Sequence, residues 1–235
     1  MPDRSLTTWV GRGIGSATET YQYAVLVVVL GVVTTVADLG SDAGGEPAAS
    51  VLGRLLDVPF VQAAAATEPG RQLALAALVI AVILLLAVTA VALPVLHQGT
   101  VLVRVGEHAA PLSPPALTVF GFDIDVLLAA VPIVVVGVVA AGAATETEGQ
   151  MAPRTVLRAG LGLGVAHAIT VLAIAVLARE VLFAFATAIV GPGATEGVTI
   201  TVLTPGTVAV VTSYAVGVAS VGVATGQAIR ERARE

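Results

Sequence analysis

The first feature of this sequence is what it lacks: it has no cysteine, no lysine and no asparagine, and only 11% of its residues are charged. Without cysteine, the chain cannot form disulfides, use a thiol nucleophile or bind metals through thiolates. Soluble domains carry about 25% charged residues, so most of this surface must face something other than water. Aromatic residues are also few, at 4%, and Trp9 is the only tryptophan.

Apolar residues make up 57% of the chain, the mean hydropathy is +0.97, and these residues fall in long runs. A run of about 20 apolar residues can cross a bilayer as a helix. We therefore predict an all-α fold, a polytopic transmembrane helix bundle that forms one domain over residues 1–235. The five predicted spans cover about 21–39, 73–96, 124–144, 155–190 and 206–229.

Two alternatives concern the ends of these runs. A sixth span would require Val181–Leu203 to cross, which places Glu196 and the Gly191-Pro-Gly193 break in lipid. The first run is also compatible with a signal peptide, because Thr35-Val36-Ala37 is a small-residue cleavage site. Against that reading, the apolar run has no break before Ala37.

The connections are predicted to lie outside the bilayer. Residues 1–20 form a polar tail in which Trp9 anchors at the interface. Pro47–Asp57 forms a short interfacial helix, because its apolar residues fall on one helical stripe. Thr100–Val105 alternates like a strand, and together with Leu117–Phe122 it predicts a small β-hairpin or a surface loop.

The fourth apolar run holds the sharpest functional candidate. Arg158 and Arg179 are separated by a helical rise of roughly 30 Å, which matches the hydrocarbon core of a bilayer. His167 lies between them, at a depth where an ionisable residue is a functional hypothesis by default. Gly160 and Gly164 share its helix face, so we expect His167 to point into the bundle. It would serve as a proton relay or substrate contact, or as a neutral histidine that hydrogen-bonds across helices.

The predicted substrate or proton site consists of His167, Arg179, Glu180 and Tyr214. Arg179 and Glu180 are adjacent and point about 100° apart on a helix, so they are not expected to pair with each other. They are interpreted either as site charges or as side chains that extend to the interface. Tyr214 belongs to the only polar cluster inside the fifth run, and helix packing is its other interpretation.

Small residues at helical spacing predict close helix contacts. In the fourth run the pattern is Gly160-xxx-Gly164, and in the fifth run it is Ser213-xxx-Gly217 and Gly222-xxx-Gly226. These glycines are therefore expected to lie where one helix approaches another.

The charges bear on partners and orientation. All 11 basic residues are arginine against 16 acidic residues, and the net charge of −5 leaves no basic patch for nucleic acid. The expected partner is the lipid bilayer of the cell membrane, and a second copy or another membrane subunit is a further candidate.

With five spans, the positive-inside rule favours a cytoplasmic carboxyl tail and an external amino tail. Arg4 and Arg12, which precede the first run, favour the opposite orientation.

No nucleophile elbow, HExxH, Walker loop or intramembrane-protease motif is present. His97 and His108 are too far apart to specify a metal site. Asp123 and Asp125 stand at a helix start, where aspartate is a favoured cap. The sequence therefore predicts a protein that is not an enzyme and has no cofactor or metal.

Three features of the last 80 or so residues carry a resemblance. They are Val181–Thr187, the Gly191-Pro-Gly193 turn and the final run rich in small residues. With acidic loops and arginine in place of lysine, this stretch resembles multi-pass haloarchaeal membrane proteins of unknown function, and a high-GC actinobacterium is the alternative source. The resemblance implies a salt-adapted membrane protein and assigns no functional residue.

Two functions remain open at this point. The first is an integral membrane protein without catalytic activity, a structural or accessory component. The second is a small transporter or substrate-binding component, with His167 and Tyr214 lining a cavity near the midplane. A polar cavity at His167 would favour transport, and dry packing around it would favour the first function.

Overall fold

We describe the fold from a computed structural model of the chain. The structure describes residues 6–41, 68–113, 118–119, 122–147 and 150–235. The interfacial helix predicted at Pro47–Asp57 lies outside the described residues, as does part of Leu117–Phe122.

The described residues form a bundle of five long helices with small sheets at one end. The helices are α1 (Leu6–Ser41), α2 (Glu68–Leu96), α3 (Ile124–Thr145), α4 (Pro153–Val190) and α5 (Pro205–Arg232). Each contains a stretch that is long and apolar enough to cross a membrane. The prediction of an all-α transmembrane bundle is confirmed.

Helix α4 lies at the centre and packs against α1, α2 and α5. Its 38 residues rise about 57 Å, so it extends past Arg179 to Val190 without a break. Pro153 stands in its first turn, where the missing N–H is tolerated, and Gly191 ends it at a φ of 111° that favours glycine. A single 3-10 turn and a strand follow, so Val181–Leu203 is not one helix and forms no sixth span.

Helix α1 begins well before the predicted span. The polar tail predicted over residues 1–20 is wrong from Leu6 onward, because these residues are helical. Trp9 is 4% exposed and packs in a cluster with Ala159 and Leu163, rather than anchoring at the interface. Small and apolar residues at helical spacing explain the difference, since they give this segment one buried face: Trp9, Gly13, Ala17 and Ala24.

The carboxyl end of α2 lies inside the bundle, and there the chain reverses direction. Gly99 N donates to Pro94 O (2.8 Å) and Gln98 N donates to Val95 O (3.0 Å), the two hydrogen bonds of a Schellman motif. Gln98 adopts the left-handed conformation, with a φ of 62°. The last residue before this reversal is His97, which is therefore held within the bundle.

The sheets lie at the end of the bundle to which α4 runs. The strands are β1 (Leu102–Val105), β2 (His108–Pro111), β3 (Thr118–Val119), β4 (Phe122–Asp123) and β5 (Val198–Thr201). In the larger sheet the order is β2–β1–β5, all antiparallel, and the smaller sheet pairs β3 with β4.

The hairpin predicted in this region forms with different partners. β1 pairs with β2 across a tight turn at Gly106, whose φ is 59°. β1 also pairs with β5, which lies almost one hundred positions later in the chain. Leu117–Phe122 does not pair with β1 in its described part; Thr118 and Val119 pair instead with Asp123 and Phe122.

The amino end of α1 and the carboxyl end of α5 lie at the same end of the bundle. Arg12 forms an ion pair with Glu146 after α3 (3.0 Å), and Gln150 donates to Glu231 near the end of α5 (3.0 Å). The predicted arrangement, with the two tails on opposite sides, required every helix to carry the chain across. The reversal after α2 returns the chain to the sheet end, so the two tails meet.

Candidate functional site

A cluster of polar side chains from α1, α2, α4 and α5 lies in the middle of the bundle. It consists of Ser16, His97, His167 and Tyr214, and we call it the histidine cluster. Both histidines are fully buried and Ser16 is 1% exposed. A cluster of buried apolar residues lies at this level and includes members of all five helices, among them Leu93, Ala168, Leu172 and Val211.

His167 lies on the face of α4 that turns toward α1 and α2. Its Nδ1 atom is 2.8 Å from Ser16 Oγ on α1. Its Nε2 atom is 2.8 Å from His97 Nε2 at the end of α2. Both ring nitrogens are therefore occupied by other helices.

His97 completes the contact from the α2 side. Its Nδ1 atom is 2.8 Å from Leu93 O, one turn earlier in the same helix. A carbonyl oxygen only accepts hydrogen bonds, so His97 Nδ1 must be the donor there. The two imidazole rings are tilted by 48°, with centroids 5.0 Å apart. This geometry leaves none of the four ring nitrogens facing open space.

Gly13 allows α1 to come close enough for Ser16 to reach His167. A Cβ at Gly13 would overlap Leu163 O and would lie 2.9 Å from Ala166 Cβ and 3.1 Å from His167 N. Ser16 Oγ also lies 2.9 Å from Gly13 O, where it is placed to donate. The absence of a side chain at Gly13 thus fixes the distance across which the cluster forms.

Tyr214 approaches the cluster from α5. Its ring meets His97 edge-on, with centroids 5.5 Å apart and an interplanar angle of 78°. Its buried hydroxyl has no hydrogen-bond partner among the described residues. Tyr214 also lines a groove of about 590 Å³ between α3 and α5, whose walls include Gly137, Gly217 and Val221 but neither histidine.

Arg179 and Glu180 lie apart from the histidine cluster. They are twelve and thirteen positions beyond His167 on α4, a rise of roughly 18 Å. The prediction that they do not pair is wrong: Arg179 Nε donates to Glu180 Oε1 (3.0 Å), and a second guanidinium nitrogen contacts the same oxygen. Arg179 also donates to Ile200 O of β5 (3.4 Å), which ties α4 to the sheet. Long side chains bend around the helix, so an angle of 100° between Cβ vectors does not prevent the contact.

Four of the five glycines predicted at helix contacts lie where one helix closely approaches another, and Gly217 does not. A Cβ at Gly164 would lie 2.5 Å from the Val216 backbone, and one at Gly160 would overlap Ser220. On α5, a Cβ at Gly222 would lie 2.7 Å from Gly137 O, and one at Gly226 would overlap Ala141 O. Gly217 is exposed, and a Cβ there would meet nothing within 4 Å.

Sequence reasoning brought His167 and Tyr214 to attention but missed His97 and Ser16. From the sequence alone, His97 is considered only as a metal ligand with His108. Its position directly after an apolar run with Pro94 was a signal, because a proline near a helix end and a following Gly99 favour a turn. Ser16 gave a weaker signal, its spacing of three from Gly13 on one helix face.

The described residues contain no group of three or more histidine, aspartate or glutamate side chains that could hold a metal ion. No protein-family model matches the chain, and no curated protein or solved structure matches it. Function must therefore be argued from the histidine cluster itself.

Proposed function

We propose that this chain is a non-catalytic integral membrane protein, a structural or accessory component in which the histidine cluster fastens α1, α2 and α4 together. The observation that carries this proposal is the occupation of all four ring nitrogens of His97 and His167 by neighbouring protein atoms within 2.8 Å. A general base or a substrate-binding histidine needs a nitrogen that faces its substrate. Here both rings are fully buried, and every ring nitrogen is in polar contact with another group of the bundle.

Hydrogen bonds of this kind hold membrane helices together. Apolar side chains gain little from contact with each other in lipid, so close packing at small residues and interhelical polar contacts stabilise the bundle. Gly13 and Gly164 supply the close packing on both sides of α4, and Ser16 and His97 supply the polar contacts. The histidine cluster and these two glycines therefore all form contacts that hold α4 in the bundle.

The proposal includes an orientation in the cell membrane. Arg12, Arg154, Arg158, Arg230, Arg232 and Arg234 are near one end of the bundle, whereas Arg71, Arg104 and Arg179 are near the sheet end. The positive-inside rule then favours both tails in the cytoplasm and the sheet outside. With the tails at one end, Arg12 and the carboxyl tail favour the same orientation, and the conflict between the two sequence-based counts disappears.

Purification of the native protein from its own membranes in mild detergent tests the accessory role. We expect the chain to migrate as a homo-oligomer or with a second membrane subunit, and purified protein in vesicles to give no solute or proton flux above empty vesicles. A monomer that carries flux in vesicles would overturn the proposal.

Transport is the second candidate, and the observation that favours it is the Tyr214 hydroxyl. This buried hydroxyl has no partner among the described residues, and other atoms of Tyr214 line the groove between α3 and α5. A polar ligand that reached the hydroxyl from that groove would satisfy it. Under this function, Tyr214→Phe abolishes flux in vesicles, whereas a fastening role predicts that no flux is present to lose.

A further inference from the structure

The polar contacts of the histidine cluster outnumber the hydrogens available to make them. Four contacts run in series at 2.8–2.9 Å, from Leu93 O through His97, His167 and Ser16 to Gly13 O. Each contact requires one hydrogen. A neutral His97, a neutral His167 and the Ser16 hydroxyl together supply only three.

The position of the missing hydrogen follows from the two ends of the series. Leu93 O must receive the His97 Nδ1 hydrogen, because a carbonyl has none to give. If the Ser16 hydroxyl donates to Gly13 O, His167 Nδ1 must donate to Ser16 Oγ. Both histidines then carry their hydrogens on Nδ1, and two bare Nε2 lone pairs face each other at 2.8 Å. Two lone pairs at that distance repel unless a cation lies between them.

The geometry points to a proton-binding site on the His97–His167 pair, with the Ser16 hydroxyl as its switch. When the proton is absent, His167 donates from Nε2 to His97, and Ser16 turns its hydroxyl from Gly13 O to His167 Nδ1. When the proton binds, it forms an N–H bond at His167 Nδ1 that donates to Ser16 Oγ, and Ser16 turns its hydroxyl back to Gly13 O. The hydrogen bond between the two Nε2 atoms is present in both states, so the two rings share the added charge. No covalent bond other than N–H is made or broken, and the chain gains one positive charge.

The separation of the two nitrogens favours a proton over a metal ion. A distance of 2.8 Å is that of an N–H···N hydrogen bond. Two imidazoles on a tetrahedral zinc, with bonds of about 2.0–2.1 Å, would stand more than 3 Å apart and would need further ligands. The described residues offer no third metal-binding side chain in a cluster with them.

Other charged groups do not compete for this proton. Among the described residues, Tyr214 of α5 is the one titratable side chain whose ring contacts His97, and neither histidine has a hydrogen bond or ion pair with a carboxylate or an arginine. From α1 the facing polar group is Ser16, from α2 it is the Leu93 carbonyl, and α3 presents apolar Ile124 and Leu128. The charge of the bound proton is therefore shared by the two rings and directed toward backbone carbonyls at both ends.

Nitrogen NMR of the full chain in detergent, labelled with ¹⁵N-histidine, tests this site. The chain has three histidines, so His108→Gln on the exposed strand β2 leaves only the pair visible. We expect both rings to change together in one step that takes up a single proton per chain while the bundle stays folded. At high pH, His97 should carry its hydrogen on Nδ1 and His167 on Nε2.

Ser16→Ala and Thr20→Val separate the switch from a general packing effect. Thr20 is also buried on α1, but its hydroxyl donates to Ser16 O and does not reach either ring. Ser16→Ala should weaken proton binding about tenfold, because a hydrogen bond to a charged group is roughly twice as strong as a neutral one, and Thr20→Val should leave it unchanged.

Three results would overturn the proton site. They are the absence of any change in the rings over the pH range in which the bundle is folded, two independent proton steps, and a stoichiometric metal ion with both Nε2 atoms as ligands. This inference goes beyond the proposed function and does not rest on it: discovery of a transport activity or of a free monomer would leave the proton count unaltered.

Discussion

The Nε2 atoms of His97 and His167 lie 2.8 Å apart, although 70 positions separate the two residues in the chain. This contact joins the carboxyl end of α2 to the middle of α4. It forms because α2 stops inside the bundle at a Schellman turn instead of running through it. The position of one turn therefore determines both the polar cluster and the side of the bundle to which the chain returns.

Gly13→Ala should destabilise the bundle, because its Cβ would overlap Leu163 O and press on Ala166 of α4. Forced overpacking of this kind costs about 1–3 kcal/mol. Gly11→Ala is the matched control, since a Cβ at Gly11 on the same helix meets nothing within 4 Å. Thermal unfolding in detergent measures both variants. Equal stability of the two would show that α1 does not approach α4 closely at Gly13.

Tyr214→Phe should leave the stability unchanged or raise it by about 1 kcal/mol. The variant removes a buried hydroxyl that has no partner among the described residues, and an unsatisfied buried polar group costs about 1–3 kcal/mol. The ring and its edge-on contact with His97 remain. Unfolding in detergent again provides the measurement. A loss of more than 1 kcal/mol would mean that the hydroxyl has a partner in the native protein.

Gln98→Val should destabilise the turn that holds His97, whereas Gln98→Gly should not. Gln98 is the one non-glycine residue with a positive φ among the described residues. The left-handed conformation costs an ordinary residue roughly 1–2 kcal/mol and is worse for a β-branched one. The stability difference between the two variants tests the turn. If valine were tolerated as well as glycine, α2 would not end at a left-handed residue.

Single cysteines test the arrangement of the tails, because the chain has none of its own. With a membrane-impermeant thiol reagent on intact cells, Glu107→Cys in the hairpin should be labelled. Gly11→Cys and Glu235→Cys should be labelled only after the membrane is permeabilised, since both lie at the opposite, arginine-rich end. Labelling of Gly11→Cys but not of Glu235→Cys would place the tails on opposite sides and contradict the reversal after α2.

Hydropathy predicted the helices well, because burial in lipid requires apolar residues in runs whose length is set by the bilayer. The fourth run illustrates this: Pro153 and Gly191 bound it in the sequence, and α4 spans Pro153–Val190. The same reasoning failed at residues 6–20. A helix that packs on other helices tolerates serine, threonine and arginine, so its mean hydropathy falls although one face is buried.

The histidine cluster could be predicted only in part. The glycines near His167 indicated that this residue faces the bundle, and the structure places it there. Nothing in local periodicity indicated that His97 would be its partner, because a pairing across 70 positions depends on where α2 ends and how the chain turns. Ser16 was missed for a related reason: its contact with His167 depends on how closely α1 approaches α4 at Gly13, and local periodicity does not show that approach.

A double-mutant cycle on His97 and His167 tests the fastening role most directly. His97→Leu and His167→Leu each leave the other ring buried with an unsatisfied nitrogen, so each should lower the free energy of unfolding by about 1–3 kcal/mol. In the double variant both polar groups are gone, and two apolar side chains of similar size can pack against each other. The account predicts that the double variant is more stable than the sum of the two losses allows, by about 0.5–2 kcal/mol. Strict additivity of the two losses would contradict it.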